Sequence, residues 1–459
     1  MDRRQWIASA AGGGVAMVSG LASALMAADP RPETIAEQAA RGTPPLRITD
    51  VQCFLTAPAN IRLVGVKVLT NEPGLYGLGC ATFTQRARAV ETAVNTFLKP
   101  FLIGKDVTRI EDTWQSVFVS SYWRNGPVLG NALSGVDMAL WDILGKRANL
   151  PVYQLLGGKC REAVDTYRHA AGKTFEEVEE QVRKYQAEGY RHIRIQSEVP
   201  GLSTYGAGGR GGGATGGPQT QSDVPLNRRV DTWEPAPYVR QVPRLFEHIR
   251  KTVGDDVELL HDIHERVPPI LAIQLCKDVE NYRPFFMEDP FSPEDVGYFK
   301  TLRAQTSTPL AMGELFNNPN EWVDLVSGRL IDFIRIHVSQ VGGLTMARKV
   351  AALCEFFAVR TAWHGPGDVS PVGHACNVHL DLATPNFGIQ EARLFNQAEE
   401  DVFPGCPQLK GGYYYATDKP GFGIDFNPEL AGKFPVQDDP PFDMRWGTLR
   451  RRDGTIVKP

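Results

Sequence analysis

Apolar and polar positions follow two different rhythms along this chain. In residues 47–57 and 62–83 apolar residues alternate with polar ones, which is typical of antiparallel strands, with a turn at Glu72-Pro73-Gly74. Helical periodicity follows over 87–98, 110–118 and 132–148. These patterns predict an α+β domain over residues 46–162.

A second rhythm begins at residue 163, where short apolar runs alternate with helical segments. Eight runs predict strands: VDTYRHAAG, HIRIQSEV, VELLHDIHE, FFMEDPF, PLAMGE, IDFIRIHVSQ, RTAWHG and FGIQE. Alternating units of this length predict an α/β fold with a parallel (β/α)-barrel over residues 163–391 and its functional face at the C-terminal ends of the strands. Residues 392–459 are rich in proline and glycine, and we expect them to pack back on the first domain.

Three of the predicted strands end in an acid, and 26 residues separate each acid from the next. The acids are Asp262, Glu288 and Glu314. This interval fits one strand plus one crossover helix, so three successive strands would bring carboxylates to one rim. Such a site suits Mg²⁺, which prefers octahedral oxygen coordination. The alternative is three unrelated acids, each solvated or capping a helix, but the equal spacing favours the metal site.

Further polar residues fall at the same ends of the predicted strands, where packing alone would place apolar residues. His264 lies two residues beyond Asp262, so along an extended strand both side chains would point to one side. Arg194 lies in the second strand, and Tyr205 opens the segment after it. The other candidates are His169, Arg335, His364, Asp368 and Glu391. Each has an alternative as a core residue or ion-pair partner; their number at one rim indicates a binding site.

One glycine-rich insertion interrupts the alternation over about 201–235. Gly206, Gly208 and Gly211 form a GxGxxG pattern, but dinucleotide binding needs this pattern directly between a strand and a helix. No helical pattern follows, so we reject nucleotide binding. We expect a mobile active-site flap, and the alternative is an insertion without a chemical role.

Composition and charge narrow the class of protein. A hydrophobic fraction of 42% is typical of a soluble globular protein, and a length of 459 residues indicates more than one domain. Lys and Arg (49) nearly balance Asp and Glu (53), and no basic block follows the first residues, so we expect no nucleic-acid partner. The seven cysteines form no CxxC motif and are expected to be buried thiols.

The first residues predict export. Arg3 and Arg4 precede an apolar, Ala- and Gly-rich stretch with small residues near its end, which is the layout of a twin-arginine signal. We expect residues 1–28 to be a cleaved signal peptide and residues 29–45 a linker. The mature protein would then be periplasmic without stable membrane insertion, and cytoplasmic if the signal is not used. A membrane anchor is the alternative, but the apolar run is short and glycine-rich for one.

The candidate residues suit proton abstraction next to a carboxylate. A divalent ion would neutralise the charge of an enediolate and make a weak carbon acid accessible to an ordinary base. Tyr205 could be this base if Arg194 lowers its pKa, and His264 could protonate a leaving β-hydroxyl. Proton abstraction followed by loss of water is a dehydration.

Several motifs in order extend over most of the chain from about Leu46. They are GPVLGNALSGVDMALWDILGK, PVYQLLGG, HDIH, FFMEDP, MGELF, VGGLTMARKVA, HGPGDVSPV, NFGIQE and DKPGFGI. In these motifs the chain resembles the enolase superfamily and, within it, the mannonate dehydratase-like group of acid-sugar dehydratases. The resemblance implies an enolase-type (β/α)-barrel with an α+β capping domain formed by N- and C-terminal segments. It implies a Mg²⁺-dependent dehydratase that converts an aldonate such as mannonate or gluconate into a 2-keto-3-deoxy acid.

The resemblance also implies roles for the candidate residues. Mg²⁺ would be bound by Asp262, Glu288 and Glu314. Tyr205, assisted by Arg194, would be the base and His264 the acid, with His364 a further catalytic residue. Substrate contacts would come from His169, Arg335, His364, Asp368, Glu391 and, in the capping loop where the family has an asparagine, Thr84.

Two other functions stay open on this scaffold. One is a racemase or epimerase of a carboxylate substrate, with Tyr205 and a histidine on opposite faces. The other is a catalytically weak binding or sensing protein. We also expect a homo-oligomer, since such barrels often form symmetric assemblies.

Overall fold

The computed structural model describes residues 45–120, 122, 124–202, 204–205, 231–437 and 449–458. The predicted signal peptide, all of the predicted linker except residue 45, and residues 206–230 of the glycine-rich insertion lie outside the described residues. Within the described ranges, no helix is long and apolar enough to cross a membrane.

A small α+β domain comes first, as predicted. Its antiparallel sheet has the order β1 (Ile48–Thr56), β2 (Leu63–Thr70), β3 (Tyr76–Cys80). The helices are α1 (Ala87–Thr92), α2 (Lys99–Leu102), α3 (Ile110–Ser120), α4 (Pro127–Ala148) and α5 (Val152–Leu155). The single helix predicted over 87–98 is α-helical only to Thr92 and continues as a π-helical turn, Ala93–Leu98.

The eight predicted barrel strands are all present. They are β4 (Val164–Gly172), β5 (His192–Ser197), β7 (Glu258–Asp262), β8 (Phe286–Glu288), β9 (Leu310–Met312), β10 (Phe333–Ile334), β11 (Arg360–Thr361) and β12 (Gln390–Glu391), with a separate short strand β6 (Asp231–Thr232) between β5 and β7. Barrel neighbours pair in parallel from β4 to β11, and β12 pairs with β4. A parallel bridge from Thr361 to Phe387 closes the remaining gap. The predicted fold class is therefore confirmed, although the later strands are shorter than their apolar runs.

Helices connect the barrel strands. They are α6 (Phe175–Ala187), α7 (Pro235–Thr252), α8 (Pro269–Asp278), α9 (Phe299–Arg303), α10 (Val323–Ser327), α11 (Leu344–Phe356) and α12 (Pro371–Ala383). Short 3₁₀ turns at Glu280–Tyr282, Pro293–Tyr298 and Pro319–Glu321 take up part of the predicted helical segments.

Side-chain alternation divides the barrel interior into an apolar layer and a charged layer. Residues within or directly beside seven of the strands form the apolar layer: Tyr167, Leu260, Phe286, Ala311, Phe333, Ala362 and Ile389. The residue two positions further along a strand points to the same side. In six of the seven cases the residue two positions further along is polar: His169, Asp262, Glu288, Arg335, His364 and Glu391, of which Arg335 and His364 lie just beyond their strands. The charged layer therefore lies toward the C-terminal ends of the strands.

Helix α4 joins the first domain to the barrel. A Cβ atom on Gly79 of β3 would lie 1.9 Å from the Gly135 carbonyl oxygen, so the sheet and helix pack at a distance that only glycine permits. On the other side, Asp137 accepts a hydrogen bond from the Thr345 amide at 2.9 Å, and Ser134 Oγ accepts one from the Gly342 amide at 3.0 Å. The first domain thus contacts the connection between β10 and α11.

The C-terminal segment contains regular elements that its sequence pattern did not predict. They are α13 (Gln397–Val402), β13 (Gln408–Lys410), β14 (Tyr413–Tyr415), α14 (Pro428–Ala431) and β15 (Leu449–Arg450). Strand β14 pairs with the start of β4, and β15 pairs with β6. Toward the first domain, the Thr56 hydroxyl donates to the Ala431 carbonyl at 3.1 Å, and the Phe422 amide donates to Asp142 at 2.8 Å.

Candidate active site

The acids of three neighbouring strands meet at one rim of the barrel. Asp262 and Glu288 end β7 and β8 and are direct partners in the strand register. Glu314 follows β9 by two residues. Carboxylate oxygens of Glu288, Glu314 and Asp289 lie within 4.8 Å of one another. Asp262 borders this cluster, and its carboxylate accepts hydrogen bonds from Arg194 Nη1 at 2.9 Å and from the His264 amide at 2.7 Å.

Asp289 is a member of the acid cluster that sequence reasoning missed. Strict alternation after Glu288 would point its side chain away, but β8 ends at Glu288 and Asp289 has a φ of 40°. Its carboxylate accepts a hydrogen bond from the Gly313 amide at 3.2 Å. Burial, together with Glu288 and Glu314, raises the pKa of Asp289 well above its ordinary value. Its place directly after Glu288 in FFMEDP was the available signal.

Buried basic side chains cross the interior and pair with the acids. Arg335, which is 0% exposed, lies with Nε 2.5 Å from Glu288 Oε1 and donates from Nη2 to Glu391 at 2.9 Å. Its Nη1 donates to the Tyr167 hydroxyl at 2.8 Å. His169 Nε2 lies 2.8 Å from Glu391 Oε1. Arg335, predicted as a substrate contact, is therefore already paired on three sides.

The acids and bases of this network shift one another's pKa values. Burial raises the pKa of Glu288 to about 8; Arg335 opposes the shift, and Asp262 adds to it. For Glu391 burial acts upward, but Arg335 and His169 outweigh it and hold its pKa well below the ordinary range. Burial, reinforced by Arg194, lowers the pKa of His169 to about 4, so this histidine is neutral at pH 7.

The arrangement of the carboxylates fits a divalent cation. Glu288 is fully buried, and its Oε2 accepts no hydrogen bond from any residue that the structure describes. A buried carboxylate oxygen without a donor is unfavourable unless a cation binds it. Hard oxygen ligands at this spacing are those that Mg²⁺ prefers.

Tyr205 and His264 form an aromatic stack on the loops above the strands. Their ring centroids are 3.9 Å apart with an interplanar angle of 28°. Two guanidinium groups lie over the Tyr205 ring. The Arg194 group is 5.4 Å from the ring centroid, and the Arg266 group is 5.1 Å from it. His264 does not share a strand face with Asp262 as predicted, because β7 ends at Asp262 and His264 has a left-handed backbone (φ 54°). The left-handed turn, and not the strand, sets the position of its ring.

The groups around Tyr205 shift its pKa in opposite directions. Burial raises its pKa well above the ordinary value, Arg194 acts in the opposite direction, and Asp262, Glu314 and Glu391 add to the rise. Arg194 thus has the predicted effect on this hydroxyl, but the carboxylates and burial outweigh it in the metal-free protein.

His364 and Asp368 follow β11 at the same rim. His364 Nε2 lies 3.3 Å from Glu314 Oε2 and 4.0 Å from Glu391 Oε2. Although burial acts downward, Glu314 raises the pKa of His364 to about 9; in turn His364 holds the pKa of Glu314 below its ordinary value against burial. Asp368 faces His337, which sequence reasoning also missed. His337 is two residues beyond Arg335, and this spacing was the available signal.

Thr84 lies in the loop after β3, in the first domain. It is buried, and its hydroxyl donates to Gln85 Oε1 at 2.9 Å, while its carbonyl accepts from Arg62 at 3.5 Å. Its hydrogen bonds therefore stay within the first domain and do not join it to the strand-end residues.

Comparisons with known proteins agree with this architecture. Residues 35–157 match the family described as mandelate racemase / muconate lactonizing enzyme, N-terminal domain, and residues 177–430 match the enolase C-terminal domain-like family. A solved enolase structure from Pantoea ananatis, with bound D-gluconate and Mg, has a TM-score of 0.82 at 50% identity and covers 90% of this chain and 100% of that one. A putative galactarate dehydratase from Agrobacterium radiobacter, bound to Na and L-malate, has a TM-score of 0.74 at 26% identity, with the same coverage.

The curated relatives identify the family. The chain is 52% identical over 433 residues to the D-galactonate dehydratase family member RspA of Pantoea ananatis, covering 90% of this chain and 99% of that protein. It is 49% identical over 415 residues, with the same coverage, to a D-galactonate dehydratase family member of Enterocloster bolteae. The predicted superfamily is confirmed, whereas specificity for mannonate stays a prediction. The chain belongs to the enolase superfamily and, within it, to the D-galactonate dehydratase family, a family of acid-sugar dehydratases.

Proposed function

We propose that this protein is a Mg²⁺-dependent dehydratase of a six-carbon aldonate. The observation that carries the proposal is the cluster of carboxylates at the strand ends beside the stacked Tyr205 and His264. The cluster supplies a cation site, and the stack supplies two groups that can move protons. The D-gluconate bound in the related Pantoea ananatis structure supports an aldonate as the substrate.

Glu288 and Glu314 of the cluster, together with Asp262 beside it, would hold the metal. When bound, the ion would neutralise charge that develops on the substrate carboxylate as the α-proton leaves, and it would offset the carboxylates that raise the pKa of Tyr205. The pairing of Asp262 with Arg194 and of Glu288 with Arg335 fixes two of these carboxylates in place before the metal binds.

Tyr205 and His264 would move the two protons of the reaction. The Tyr205 phenolate, favoured by Arg194, would take the proton from the carbon next to the substrate carboxylate. The electron pair left on that carbon forms the new double bond as the 3-hydroxyl leaves. His264 would donate a proton to this hydroxyl, which departs as water, and the enol product tautomerises to a 2-keto-3-deoxy acid.

The remaining polar residues of the rim suit a polyhydroxylated chain. His169 and His364 can donate to hydroxyl oxygens, while Asp368 and Glu391 can accept from hydroxyl protons. Arg335 has three partners already, so we propose that it acts on substrate through the position of Glu391. Tyr205 and His264 lie against each other, so these two residues do not form the opposite-face pair that an epimerase would need.

A product assay on the full chain tests this proposal. The purified protein with Mg²⁺ is incubated with D-gluconate, D-mannonate and D-galactonate, and 2-keto-3-deoxy acid is measured with semicarbazide. We expect product from at least one aldonate. In Glu288→Gln we expect the rate of product formation to fall by about 10²-fold or more. An inverted stereocentre without 2-keto product would instead identify an epimerase. Ligand-induced thermal stabilisation without any product would identify a binding protein.

We further propose that residues 1–28 direct export by the twin-arginine route. The arginine pair and the apolar stretch after it support this location. Cell fractionation of the full chain in a Gram-negative host tests it, since changing Arg3 and Arg4 together to lysine is expected to move the protein from the periplasm to the cytoplasm. An equal distribution of both forms would contradict export by this route.

We also propose a homo-oligomer. Large apolar side chains of the first domain are exposed, including Phe97, Ile103 and Leu129. Exposed apolar side chains are commonly covered by contacts between subunits. Light scattering of the purified full chain is expected to give a multiple of the chain mass, and the mass of one chain would contradict the proposal.

A further inference from the structure

His337 is a buried histidine of the barrel rim that has no role in the chemistry described above. It follows Arg335 by two residues, beyond the end of β10, and is only 4% exposed. Its ring centroid lies 4.9 Å from that of His364. A histidine enclosed this deeply requires partners for its ring nitrogens, and a polar side chain lies beside each nitrogen.

The first partner is Asp368. His337 Nε2 lies 3.8 Å from Asp368 Oδ1, and among the described residues no other basic side chain is within 4.0 Å of this carboxylate. The Oδ1 atom accepts no hydrogen bond from a described residue. A distance of 3.8 Å is longer than a hydrogen bond, but contacts at active sites often tighten when substrate binds.

The second partner is Ser339, which fixes the tautomer. Its Oγ lies 2.8 Å from His337 Nδ1. A neutral imidazole has one N–H, and the carboxylate at Nε2 favours the N–H there. Nδ1 is then an acceptor, so the Ser339 hydroxyl donates to it. Ser339 thus donates to His337, and the Nε2–H of His337 is directed to the Asp368 carboxylate.

The backbone around His337 is held by the first domain. The His337 carbonyl accepts from the Gln340 amide at 2.9 Å and from the Val341 amide at 3.1 Å, which closes a turn. The next residue, Gly342, donates to Ser134 of α4 and accepts from the Trp114 indole at 2.7 Å. Asp368, by contrast, lies in the GPGD stretch between β11 and α12, and its side chain is 29% exposed. His337 therefore joins a firmly held turn to a carboxylate on a glycine-rich loop.

We propose that His337 is a positioning residue, which holds the Asp368 carboxylate toward the substrate through an Nε2–H contact while Ser339 fixes its tautomer. This inference rests on the proposed function only for the identity of the ligand, an aldonate whose hydroxyl Asp368 would accept. A carboxylate that is not held in place binds a hydroxyl less often, so the loss would fall on substrate binding and not on the proton transfers.

Two substitutions separate this contact from simple packing. The side chain introduced by His337→Gln can place an amide N–H where Nε2–H was, whereas the shorter one introduced by His337→Asn can replace only Nδ1. We expect KM for D-gluconate to stay within about threefold in His337→Gln and to rise about tenfold or more in His337→Asn, with kcat little changed in both. Ser339→Ala is expected to fall between them. His379→Asn, a change to an equally buried histidine of α12, controls for lost packing and is expected to leave KM unchanged.

Crystal structures of the same variants test the positioning without any assumption about turnover. We expect the Asp368 carboxylate to stay within hydrogen-bond distance of residue 337 in His337→Gln and to move away in His337→Asn. The inference would be overturned if the Asp368 carboxylate took the same position in His337→Gln and His337→Asn. It would also be overturned if the two variants had the same KM, whether that KM was unchanged or raised in both. If the wild-type protein converts no aldonate, the proposed function fails, but the two carboxylate positions still decide this inference.

Discussion

Two parts of the active site are built in different ways. The strand-borne network consists of His169, Arg194, Asp262, Glu288, Arg335 and Glu391, and its members contact one another through their polar groups inside the barrel. The loop-borne stack consists of Tyr205, His264 and Arg266, and its members contact one another through ring faces. Strand register positions the first group, whereas left-handed turns and stacking position the second.

Because of this difference, we expect changes in the two parts to affect stability and catalysis differently. The network contains buried charges, each of which is unfavourable without its partner, so a change there affects folding as well as function. The stack carries the groups that would move protons, and much of its contact is made by ring faces that survive the loss of a hydroxyl. We therefore expect variants of the network to lose stability and activity together, and variants of the stack to lose activity alone.

The largest effect is expected from breaking the network at its centre with Arg335→Met. Removal of this guanidinium leaves the Glu391 carboxylate buried without its main counter-charge and takes away the partner of Glu288. We expect the free energy of unfolding of the metal-free protein to fall by about 3–5 kcal/mol. Urea denaturation monitored by circular dichroism measures it.

An exposed arginine provides the control for this substitution. Arg283 pairs with Asp255 at 2.7 Å, but its side chain is 74% exposed. Arg283→Met is expected to change the free energy of unfolding by less than about 1 kcal/mol. Similar losses in the two variants would show that burial of the network does not determine its contribution.

The second effect concerns the stack, where we expect turnover to be lost while stability is kept. Tyr205→Phe keeps the ring on His264 and removes only the hydroxyl. We expect turnover of the preferred aldonate to fall about 10²–10⁴-fold, because the base is lost. The free energy of unfolding is expected to stay within about 1 kcal/mol of the wild-type value. Tyr185→Phe, at a buried tyrosine of α6, is the control and should retain turnover. Retained turnover in Tyr205→Phe would remove this residue from the mechanism.

The third effect is a pH dependence of Mg²⁺ binding that arises in the network. Burial raises the pKa of Glu288 from an ordinary 4.5 to about 8 in the folded protein. The contribution of Glu288 to metal-free stability is therefore complete below its ordinary pKa and is lost as pH rises through about 8. Because Mg²⁺ must displace this proton, its affinity is expected to rise with pH up to about 8, by at most about tenfold per pH unit.

Calorimetric titrations with Mg²⁺ at several pH values check this dependence. Glu265 of the loops offers a matched control, since burial raises its pKa to about 7 as well. If the proton belongs to the network, Glu265→Gln should keep the same slope of affinity against pH. A slope that disappears in Glu265→Gln would assign the titration to the loops.

The same comparison explains how much of the site could be predicted from sequence. In FFMEDP and FGIQE an apolar residue precedes an acid by two positions, so strand alternation alone indicates that Glu288 and Glu391 point inward. Strand order then brings them to one rim. The network was predictable because its geometry repeats from strand to strand.

Residues placed by turns could not be predicted in this way. Asp289 joins the acid cluster because its φ of 40° turns the chain back, and His264 depends on a φ of 54°. The contact of His337 with Asp368 joins two separate connections of the barrel. Strands β14 and β15 contain three and two residues, and they pair with partners distant in sequence. No local pattern contains these contacts.

The smallest effect is expected in the capping loop, which belongs to neither part. Among the residues that the structure describes, the Thr84 hydroxyl donates only to Gln85. Thr84→Ala therefore removes little that stabilises the fold, and we expect a change of less than about 0.5 kcal/mol in the free energy of unfolding. If this hydroxyl contacts substrate, KM should rise about two- to fivefold while kcat is kept.

Thr82, two residues earlier, provides the control, because its hydroxyl bonds the amide and carbonyl of Val64. Thr82→Ala should therefore show the reverse, with about 1 kcal/mol lost and KM unchanged. An unchanged KM in Thr84→Ala would remove the Thr84 hydroxyl from substrate recognition.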